Sequence, residues 1–528
     1  MSHHEPPKGH HPHQESWGSK LGIILAVAGS AIGLGNFLRF PVQAAQNGGG
    51  AFMLPYFAAL IFLGLPLAWV EWALGRYGGM HGHNTASGAF AAIWHSRWAK
   101  YLGLLGVFGP LVIFVYYTYI ESWTLAYSYF ALSGKYAAVT DQQGMQSFLS
   151  AFQGLERNAH FQGIGTAYFF FLLTFIANIW IIYLGVRRGI EFVSKIFMPV
   201  LFLLGVVLVV RIATLGIPNL EHPDWNVLNG LGYMWNPQFG ALADANVWLA
   251  AAGQILFTLS VGIGCILTYA SYLKERDDIA LSSLTAVGMN EVAEVIIGGS
   301  LVLPAAFIFF GPVEITTVAK SGAFNLGFVT MPLVFQHLSL GNLFGFAWFL
   351  LLFLAGITSS ISLAEPVIAF LHNVMGYHRR KAVRVFGVVT FLLTHLAIFG
   401  LSRGVVDEMD FWGGTFALVL FATIESILFA WVFGMEKGWR EIHRGAEIQV
   451  PRIFRWIIQY VTPTYLLIIL IFWLHQQGIP TLLMRGVSEA NRPYVIATRV
   501  GLTLFFLGLA LLLRGVIHHR RIKELAEK

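Results

Sequence analysis

The stretch Gly29-Ser30-Ala31-Ile32-Gly33-Leu34-Gly35-Asn36 interrupts an otherwise apolar segment of membrane-spanning length. A later apolar segment is interrupted in the same way by Ser260-Val261-Gly262-Ile263-Gly264. Glycine destabilises a helix interior by about 1 kcal/mol relative to alanine, so both clusters predict backbone that leaves the helix. Non-helical backbone inside a membrane is tolerated only where it lines a cavity. The pair therefore predicts a binding site between two broken helices, although close helix packing would explain either cluster alone.

The composition places the whole chain in a membrane. Of the 528 residues, 56% are hydrophobic and 11% are charged, and the mean hydropathy is +0.66. A helix needs about 20 mainly apolar residues to cross a bilayer, and about twelve such segments recur along the chain. The predicted spans are 21–45, 51–77, 98–133, 164–184, 189–213, 246–273, 280–311, 342–372, 382–401, 408–435, 455–477 and 494–517.

The matching interruptions in the first and sixth spans predict an internal repeat. An odd number of helices per repeat makes the two repeats inverted. The predicted fold class is an all-α membrane protein with two inverted five-helix repeats, two C-terminal helices, and discontinuous helices 1 and 6. The predicted regions are a His-rich cytoplasmic tail at 1–20, the first repeat at 21–213, an external loop at 214–245, the second repeat at 246–435, and helices 11 and 12 with a cytoplasmic C-terminus at 436–528.

The distribution of charge follows membrane topology. The net charge is +6, and Lys and Arg concentrate at one set of span ends, which is typical of cytoplasmic loops. We therefore expect a multi-pass protein of the inner (plasma) membrane, in contact with lipid, with both termini cytoplasmic and no nucleic-acid partner. The single cysteine, Cys265, cannot form a disulfide framework. The sequence has no nucleophile-elbow, zinc-peptidase or phosphate-loop motif, so we do not expect an enzyme.

A charged residue follows the first interruption. Arg39 lies within the predicted membrane span, where an arginine needs a partner or water. Asp410, near the outer end of another span, is the best-placed carboxylate. Snorkelling of Arg39 to the outer interface is the alternative explanation.

Neutral side chains that carry oxygen lie on three other apolar spans. They are Thr258, Asn290, Thr358 and Ser359. Several neutral oxygens suit a hard cation that must leave again, so these residues predict ion sites. Taken singly, each could instead form a hydrogen bond between helices. Glu294, one turn beyond Asn290, is a buried acid that could change its protonation during transport.

Motifs occur in a fixed order along nearly the whole chain. They are 29–41 continuing into 47–52, Tyr116-Tyr117 before 121–123, 254–264, Asn290-Glu291, 356–360 and 407–412. In this order they resemble the prokaryotic branch of the neurotransmitter:sodium symporter family. The resemblance implies sodium-coupled symport of a hydrophobic neutral amino acid by alternating access, with a homodimer as one option for assembly. An amino-acid-gated channel or a non-transporting sensor on the same scaffold is the alternative.

The resemblance also implies two bound sodium ions and no chloride. The first sodium would be bound by the substrate carboxylate with Ala31, Asn36, Thr258 and Asn290. The second sodium would be bound by Gly29, Ile32, Ala355, Thr358 and Ser359. The amino acid would contact Ala31, Gly33, Leu34, Gly35, Ile113, Tyr117, Phe257, Thr258, Ser260, Ile263, Ser359 and Leu363. Glu294 would replace chloride and, when protonated, would help the empty carrier return, which gives proton countertransport.

The predicted substrate pocket departs from the leucine-transporting bacterial members of the family. Ile263 stands where those members have a phenylalanine, which frees space, and Ile113 takes some of it back. Tyr117 and Phe257 would cover the substrate. The resemblance therefore implies a hydrophobic amino acid and tolerance of side chains bulkier than leucine.

The two predicted gates differ in how well they match the family. The outer gate is expected to be Arg39 with Asp410. At the inner gate, Gln14 and Asn373 replace an Arg and an Asp, while Trp17 remains. We therefore expect packing or a neutral hydrogen bond at the inner gate rather than an ion pair.

Overall fold

The computed structural model describes residues 15–216, 221–320 and 322–526, and these form helices and loops without a β-sheet. The principal helices of the first half are α1 (Lys20–Ala31), α2 (Leu34–Gln46), α3 (Gly50–Met80), α4 (Ala86–Ile93), α5 (Ala99–Ser133), α6 (Gln142–Phe152), α7 (Gly165–Tyr183), α8 (Val186–Ala213) and α9 (Val227–Trp235). Those of the second half are α10 (Ala245–Thr258), α11 (Cys265–Ala270), α12 (Ala280–Pro312), α13 (Ala323–Gln336), α14 (Gly341–Asn373), α15 (Arg379–Phe399), α16 (Val405–His443), α17 (Ile453–Leu482) and α18 (Arg492–Ala526).

The helices reproduce the spans expected from the sequence. Among the described residues, ten helices are long and apolar enough to cross a membrane, and the bent pair α1 and α2 makes an eleventh span. The sixth predicted span is divided into α10, with 14 residues, and α11, with 6 residues. Each piece is too short to cross a bilayer alone, so together they form the twelfth. The all-α fold class with discontinuous helices 1 and 6 is confirmed.

The first break occupies Ile32 and Gly33. The axes of α1 and α2 are bent by 47° across it. The Gly33 N–H donates to Asn36 Oδ1 at 2.8 Å, so a side chain supplies the partner that a continuous helix would have supplied. Asn36 therefore fixes the start of α2 while its amide nitrogen remains available to other helices.

The second break lies between α10 and α11, at residues 259–264. Its backbone enters the left-handed region at Ser260 (φ +53°), Gly262 (φ +78°) and Gly264 (φ +93°). Glycine adopts this region without steric cost, whereas a serine there needs support from its surroundings. The Ser260 hydroxyl donates to the Ser30 carbonyl at 2.8 Å, and the Gly262 N–H donates to the buried carboxylate of Glu71 on α3. The second break is therefore bonded to α3 and to the last turn of α1, beside the first break.

A buried polar network holds α5, α7 and α14 together beside the breaks. The Asn178 amide on α7 donates to Glu121 Oε1 on α5 at 3.0 Å, and Ser360 Oγ on α14 donates to Asn178 Oδ1 at 2.6 Å. Gly356 makes room for Glu121, because a Cβ there would lie 2.9 Å from Glu121 Cγ. Glu121 is thus a structural partner between helices.

Replacing Gly264 tests whether the second break needs its left-handed backbone. In Gly264→Ala, the added Cβ would lie 2.8 Å from the Gly106 carbonyl oxygen, at a φ that costs an L-residue about 1–2 kcal/mol. We expect a lower midpoint of thermal unfolding in detergent, measured by the fluorescence of the tryptophans.

Gly253→Ala on α10 is the matched control. No atom lies within 4 Å of a Cβ at this position, and the backbone is helical. Alanine is the better helix former by about 1 kcal/mol, so the midpoint should stay constant or rise. Equal losses in both variants would show that the conformation of the break is not the cause.

Candidate functional site

A polar cluster joins α2, α10 and α12 next to the first break. Asn36 Nδ2 lies 3.0 Å from Thr258 Oγ1, 2.8 Å from Asn290 Oδ1 and 3.1 Å from Glu294 Oε2. The Thr258 hydroxyl also donates to Glu294. All four side chains are buried. The structure thus brings together three of the residues predicted for the first sodium site and places the predicted acid in contact with them.

The cluster contains further polar residues for which no role was predicted from the sequence. Gln254 Nε2 donates to Glu294 Oε1 at 2.7 Å, and Tyr56 OH donates to Glu291 Oε2 at 3.0 Å. Gln254 lies four residues before Thr258, which places both on one face of α10. That spacing was visible in the sequence. Both oxygens of Glu294 therefore accept hydrogen bonds, so the protein itself can supply and stabilise a negative charge here.

The residues predicted for the second sodium site lie on facing surfaces of α1 and α14. A Cβ at Gly29 would lie 3.0 Å from Thr358 Cβ, so the glycine permits the close approach of the two helices. Thr358 Oγ1 lies 3.2 Å from the Ala355 carbonyl oxygen. Ile32, three residues after Gly29, is buried in the first break. Neutral hydroxyl and carbonyl oxygens of this kind suit a monovalent cation.

Two aromatic residues flank the first break. The Leu34 N–H, at the start of α2, donates to the Tyr117 hydroxyl at 3.1 Å, and a Cβ at Gly33 would lie 3.0 Å from the same oxygen. A Cβ at Gly35 would lie 2.7 Å from the Phe257 ring. The amino end of α2 carries partial positive charge, so the space between these rings favours a carboxylate.

The remaining residues predicted to contact the substrate lie on helices next to the two breaks or in the breaks themselves. Ser260 Oγ and Ser359 Oγ both donate to the Ser30 carbonyl, at 2.8 and 3.2 Å. The apolar residues of this set are all buried. They are Ala31, Ile113, Ile263 and Leu363. Ile113 precedes Tyr117 by one turn, and Leu363 follows Ser359 by one turn, so each pair shares a helix face. The side chains predicted to contact the substrate are thus apolar apart from hydroxyl groups.

The structure departs from the direct ion pair expected at the outer gate. Both Arg39 and Asp410 belong to the described residues, and no ion pair within 4.0 Å joins them. Instead, the Arg39 guanidinium lies 4.4 Å from the centre of the Phe257 ring, and the Tyr116 hydroxyl donates to Asp410 Oδ1 at 2.6 Å. Each charge thus has its own partner, a ring face for the cation and a hydroxyl for the carboxylate.

At the predicted inner gate, Gln14 lies outside the described residues, and the other members form neutral contacts. Asn373 Nδ2 donates to Asn84 Oδ1 at 3.1 Å. The Trp17 indole N–H donates to the Tyr269 carbonyl at 2.9 Å, and the two rings pack edge to face. These contacts are of the kind expected from the sequence.

Ion pairs nevertheless lie beside the predicted inner gate. Arg379 Nε lies 3.2 Å from Glu15 Oε1, next to Gln14 in the chain. Lys20 Nζ also lies 3.0 Å from Asp278 Oδ2. The ion-pair positions of the family correspond to Gln14 and Asn373, whereas here Glu15, beside Gln14, and Arg379 carry the charges.

Two broken helices that meet inside a bundle of membrane spans, with amide groups and polar oxygens gathered at the junction, define a secondary transporter. Residues 14–142 and 135–484 match the sodium:neurotransmitter symporter family. The chain belongs to this family, as the sequence motifs indicated. It is therefore an integral membrane protein of a sodium-dependent transporter family and not an enzyme.

Several relatives cover most of the chain. An uncharacterized sodium-dependent transporter of Bacillus subtilis, YhdH, is 33% identical over 414 residues, which cover 78% of this chain and 84% of the relative. The uncharacterized sodium-dependent transporter MJ1319 of Methanocaldococcus jannaschii is 29% identical over 459 residues, with 86% and 89% covered. The crystal structure of MhsT in complex with L-phenylalanine is similar with a TM-score of 0.74 and 29% identity, over 87% of this chain and 99% of that one.

Removing the Tyr117 hydroxyl tests its contact with the first break. In Tyr117→Phe, the Leu34 N–H loses its partner, and an unpaired buried donor costs about 1–3 kcal/mol. We expect a lower thermal unfolding midpoint in detergent. Tyr127→Phe, on the same helix, is the control because no hydrogen-bond partner for its buried hydroxyl is found among the described residues. A larger loss in Tyr127→Phe than in Tyr117→Phe would contradict the assignment.

Proposed function

We propose that this protein couples the transport of a hydrophobic neutral amino acid to sodium by alternating access. The observation that carries the proposal is the junction of the two breaks. There the Ser260 hydroxyl donates to the Ser30 carbonyl, the Leu34 N–H donates to the Tyr117 hydroxyl, and Asn36 contacts Thr258. One place therefore offers a helix amino end for a carboxylate and carbonyl oxygens for an ammonium group and cations. MhsT, which is similar over most of its length, binds L-phenylalanine in its crystal structure.

Two sodium ions would be carried with the substrate. The first would be bound by the Ala31 carbonyl, Asn36, Thr258 and Asn290, together with the substrate carboxylate. The second would be bound by carbonyls of Gly29, Ile32 and Ala355 and by the hydroxyls of Thr358 and Ser359. Because the first ion contacts the amino acid directly, each would raise the affinity for the other, which is the coupling a symporter needs.

The pocket favours an apolar side chain on the amino acid. The carboxylate would bind amides of Gly33 to Gly35 and the Tyr117 hydroxyl, and the ammonium would bind carbonyls near Ala31 and Phe257. A charged substrate side chain would be buried beside Ile113, Ile263 and Leu363 without a partner, which is costly. We therefore propose substrates that are hydrophobic and include side chains bulkier than leucine.

Glu294 would make transport independent of chloride. Its carboxylate contacts Asn36 and Thr258, so it lies immediately behind the first proposed sodium site. A negative charge there offsets the charge of the bound ion. When sodium leaves, the buried carboxylate loses its compensating charge. Protonation then removes the free-energy cost of keeping an unpaired negative charge buried. We propose that this proton accompanies the return of the empty carrier and is released when sodium binds again.

We propose that the chain lies in the inner membrane and that both termini are in the cytoplasm. An even number of spans puts the two termini on the same side. Arg187, Arg188, Arg379 and Arg380 lie at the ends of spans on the side of Lys20, which is the pattern of cytoplasmic loops.

Uptake by purified protein in proteoliposomes tests the function. We expect accumulation of radiolabelled hydrophobic amino acids, such as phenylalanine and leucine, only under an inward sodium gradient, and no accumulation of glycine or charged amino acids. Thr258→Val removes a proposed sodium ligand at nearly constant side-chain volume, so it should weaken the dependence of uptake on sodium. Thr423→Val, at a buried threonine on α16, is the matched control.

The alternatives give different results in the same vesicles. Sodium-dependent binding without uptake would indicate a sensor. Flux far above the turnover of a carrier, dissipating the gradient without accumulation, would indicate a channel. Absence of sodium dependence for every amino acid would overturn the proposal.

Glu294→Ser tests the role of the buried acid. Removing the carboxylate leaves the first sodium without its compensating charge, so we expect uptake to fall at least about tenfold in chloride-free medium. Chloride should restore part of it, because an anion can occupy the space beside Gln254 and Tyr56. The wild-type protein in gluconate medium is the control. Equal activity of the variant with and without chloride, and an unchanged response to pH, would contradict the role.

A further inference from the structure

An apolar groove lies between α18 and three other helices, α5, α15 and α16, and we call it the α18 groove. Its volume is about 440 Å³, which is in the range of small-molecule binding sites. Leu111, Val112 and Val115 of α5 form its buried side. Only 11% of the most apolar stretch of α18 is buried, so this helix packs loosely against the others.

The α18 groove extends over about half the thickness of a membrane. Its lining on α18 runs from Tyr494 to Phe505, which is about 16 Å of helix. The hydrocarbon core of a bilayer is about 30 Å thick, so the groove matches the depth of one leaflet. At the deep end of the groove the rings of Phe505 and Phe108 pack together, with their centres 6.1 Å apart. A partner helix would need the full thickness, so the groove fits a chain from one leaflet better.

Two polar side chains in the lining are already bonded to other groups of the protein. His395 Nδ1 lies 2.8 Å from the Phe391 carbonyl oxygen, and its Nε2 lies 3.0 Å from the Tyr168 hydroxyl. The Thr498 hydroxyl donates to the Tyr494 carbonyl at 2.8 Å. The groove therefore presents mainly hydrocarbon, and a peptide bound in it would leave its backbone groups without partners. An acyl chain has no such groups.

A cation lies at the outer end of the groove. Arg403, in the turn between α15 and α16, is exposed, and its guanidinium lies 5.2 Å from the centre of the Tyr494 ring. Among the described residues, no carboxylate lies within 4.0 Å of its side-chain nitrogens. Arg499, by contrast, is bound by both oxygens of Glu408. Arg403 can therefore bind an anion from outside the chain, and a phosphate at the end of an acyl chain suits it.

We propose that a phospholipid occupies the α18 groove, with one acyl chain between α18 and α5 and its phosphate bound by Arg403. In the proposed orientation this lipid belongs to the outer leaflet. Its site shares no residue with the proposed substrate and sodium sites, and its occupation does not depend on the solute that is carried. The lipid fills the space between α18 and the bundle, so it stabilises the packing of α18.

Gly501→Leu tests the site of the acyl chain. Gly501 lines the groove, and no atom of the described residues lies within 4 Å of a Cβ at this position, so a leucine there would extend into the groove. We would measure the binding of palmitoyl-oleoyl phosphatidylglycerol to delipidated full-length protein in detergent by native mass spectrometry. We expect the affinity for the first bound lipid to fall at least about tenfold, because loss of two buried methylene groups has this effect.

Gly508→Leu is the matched control. Gly508 lies on the same helix beyond the groove, and a Cβ there also has no described atom within 4 Å. Both substitutions favour the helix equally, so the two thermal unfolding midpoints without lipid should be alike. Added phosphatidylglycerol should raise the midpoint of Gly508→Leu as it raises that of the wild type, and should leave that of Gly501→Leu nearly unchanged.

Arg403→Gln tests the contact with the phosphate. We expect its affinity for phosphatidylglycerol to be about fivefold lower than that of the wild type, as for the loss of one cation at a membrane surface. Palmitoyl-oleoyl glycerol, which has the same chains and no phosphate, should bind equally to the wild type and Arg403→Gln. Arg157→Gln, at an exposed arginine in the loop before α7, is the matched control and should bind both lipids like the wild type.

The outcomes distinguish the lipid from other occupants of the groove. Equal lipid affinity in Gly501→Leu, Gly508→Leu and the wild type would overturn the proposed site. Equal affinity of the wild type for the lipids with and without phosphate would overturn the role of Arg403. A second copy of the chain as the occupant would appear in the mass spectra as a dimer that Gly501→Leu separates while lipid binding stays the same, which would also overturn the proposal.

Discussion

The structure depends on the hydrogen bond from the Ser260 hydroxyl to the Ser30 carbonyl, which joins the second break to the last turn of α1, beside the first break, inside a membrane protein. Hydrocarbon offers no partners to backbone polar groups, so a break in one helix must be satisfied by another part of the protein. Here a side chain of the second break satisfies a carbonyl beside the first, and Glu71 accepts the Gly262 N–H of the second. Glycine at positions 262 and 264 permits the backbone that this arrangement requires.

The same constraint generates the candidate site. Backbone groups that leave a helix become available to a ligand, and the side chains around them determine which ligand fits. Asn36 shows the link, because its oxygen caps α2 at Gly33 while its nitrogen contacts Thr258, Asn290 and Glu294. Architecture and chemistry are therefore not separable at this residue.

Charged side chains are arranged differently at the two ends of the molecule. Arg39 packs on the ring of Phe257 and leaves Asp410 to Tyr116, so the outer charges are near each other without forming a pair. At the other end, acids and bases form a network around residues 15–19, which precede α1, with Arg379 held by Glu365 and contacted by Glu15.

The sequence by itself determined the fold class, because apolar segments of spanning length and two glycine clusters leave few other structures in a membrane. Helix spacing also placed Asn290 with Glu294 and could have added Gln254 to Thr258. Tertiary structure alone decided which distant residues meet, including Ser30 with Ser260 and the partners of Glu15. Such contacts join helices hundreds of residues apart, and their distances depend on packing, which local pattern and residue spacing do not encode.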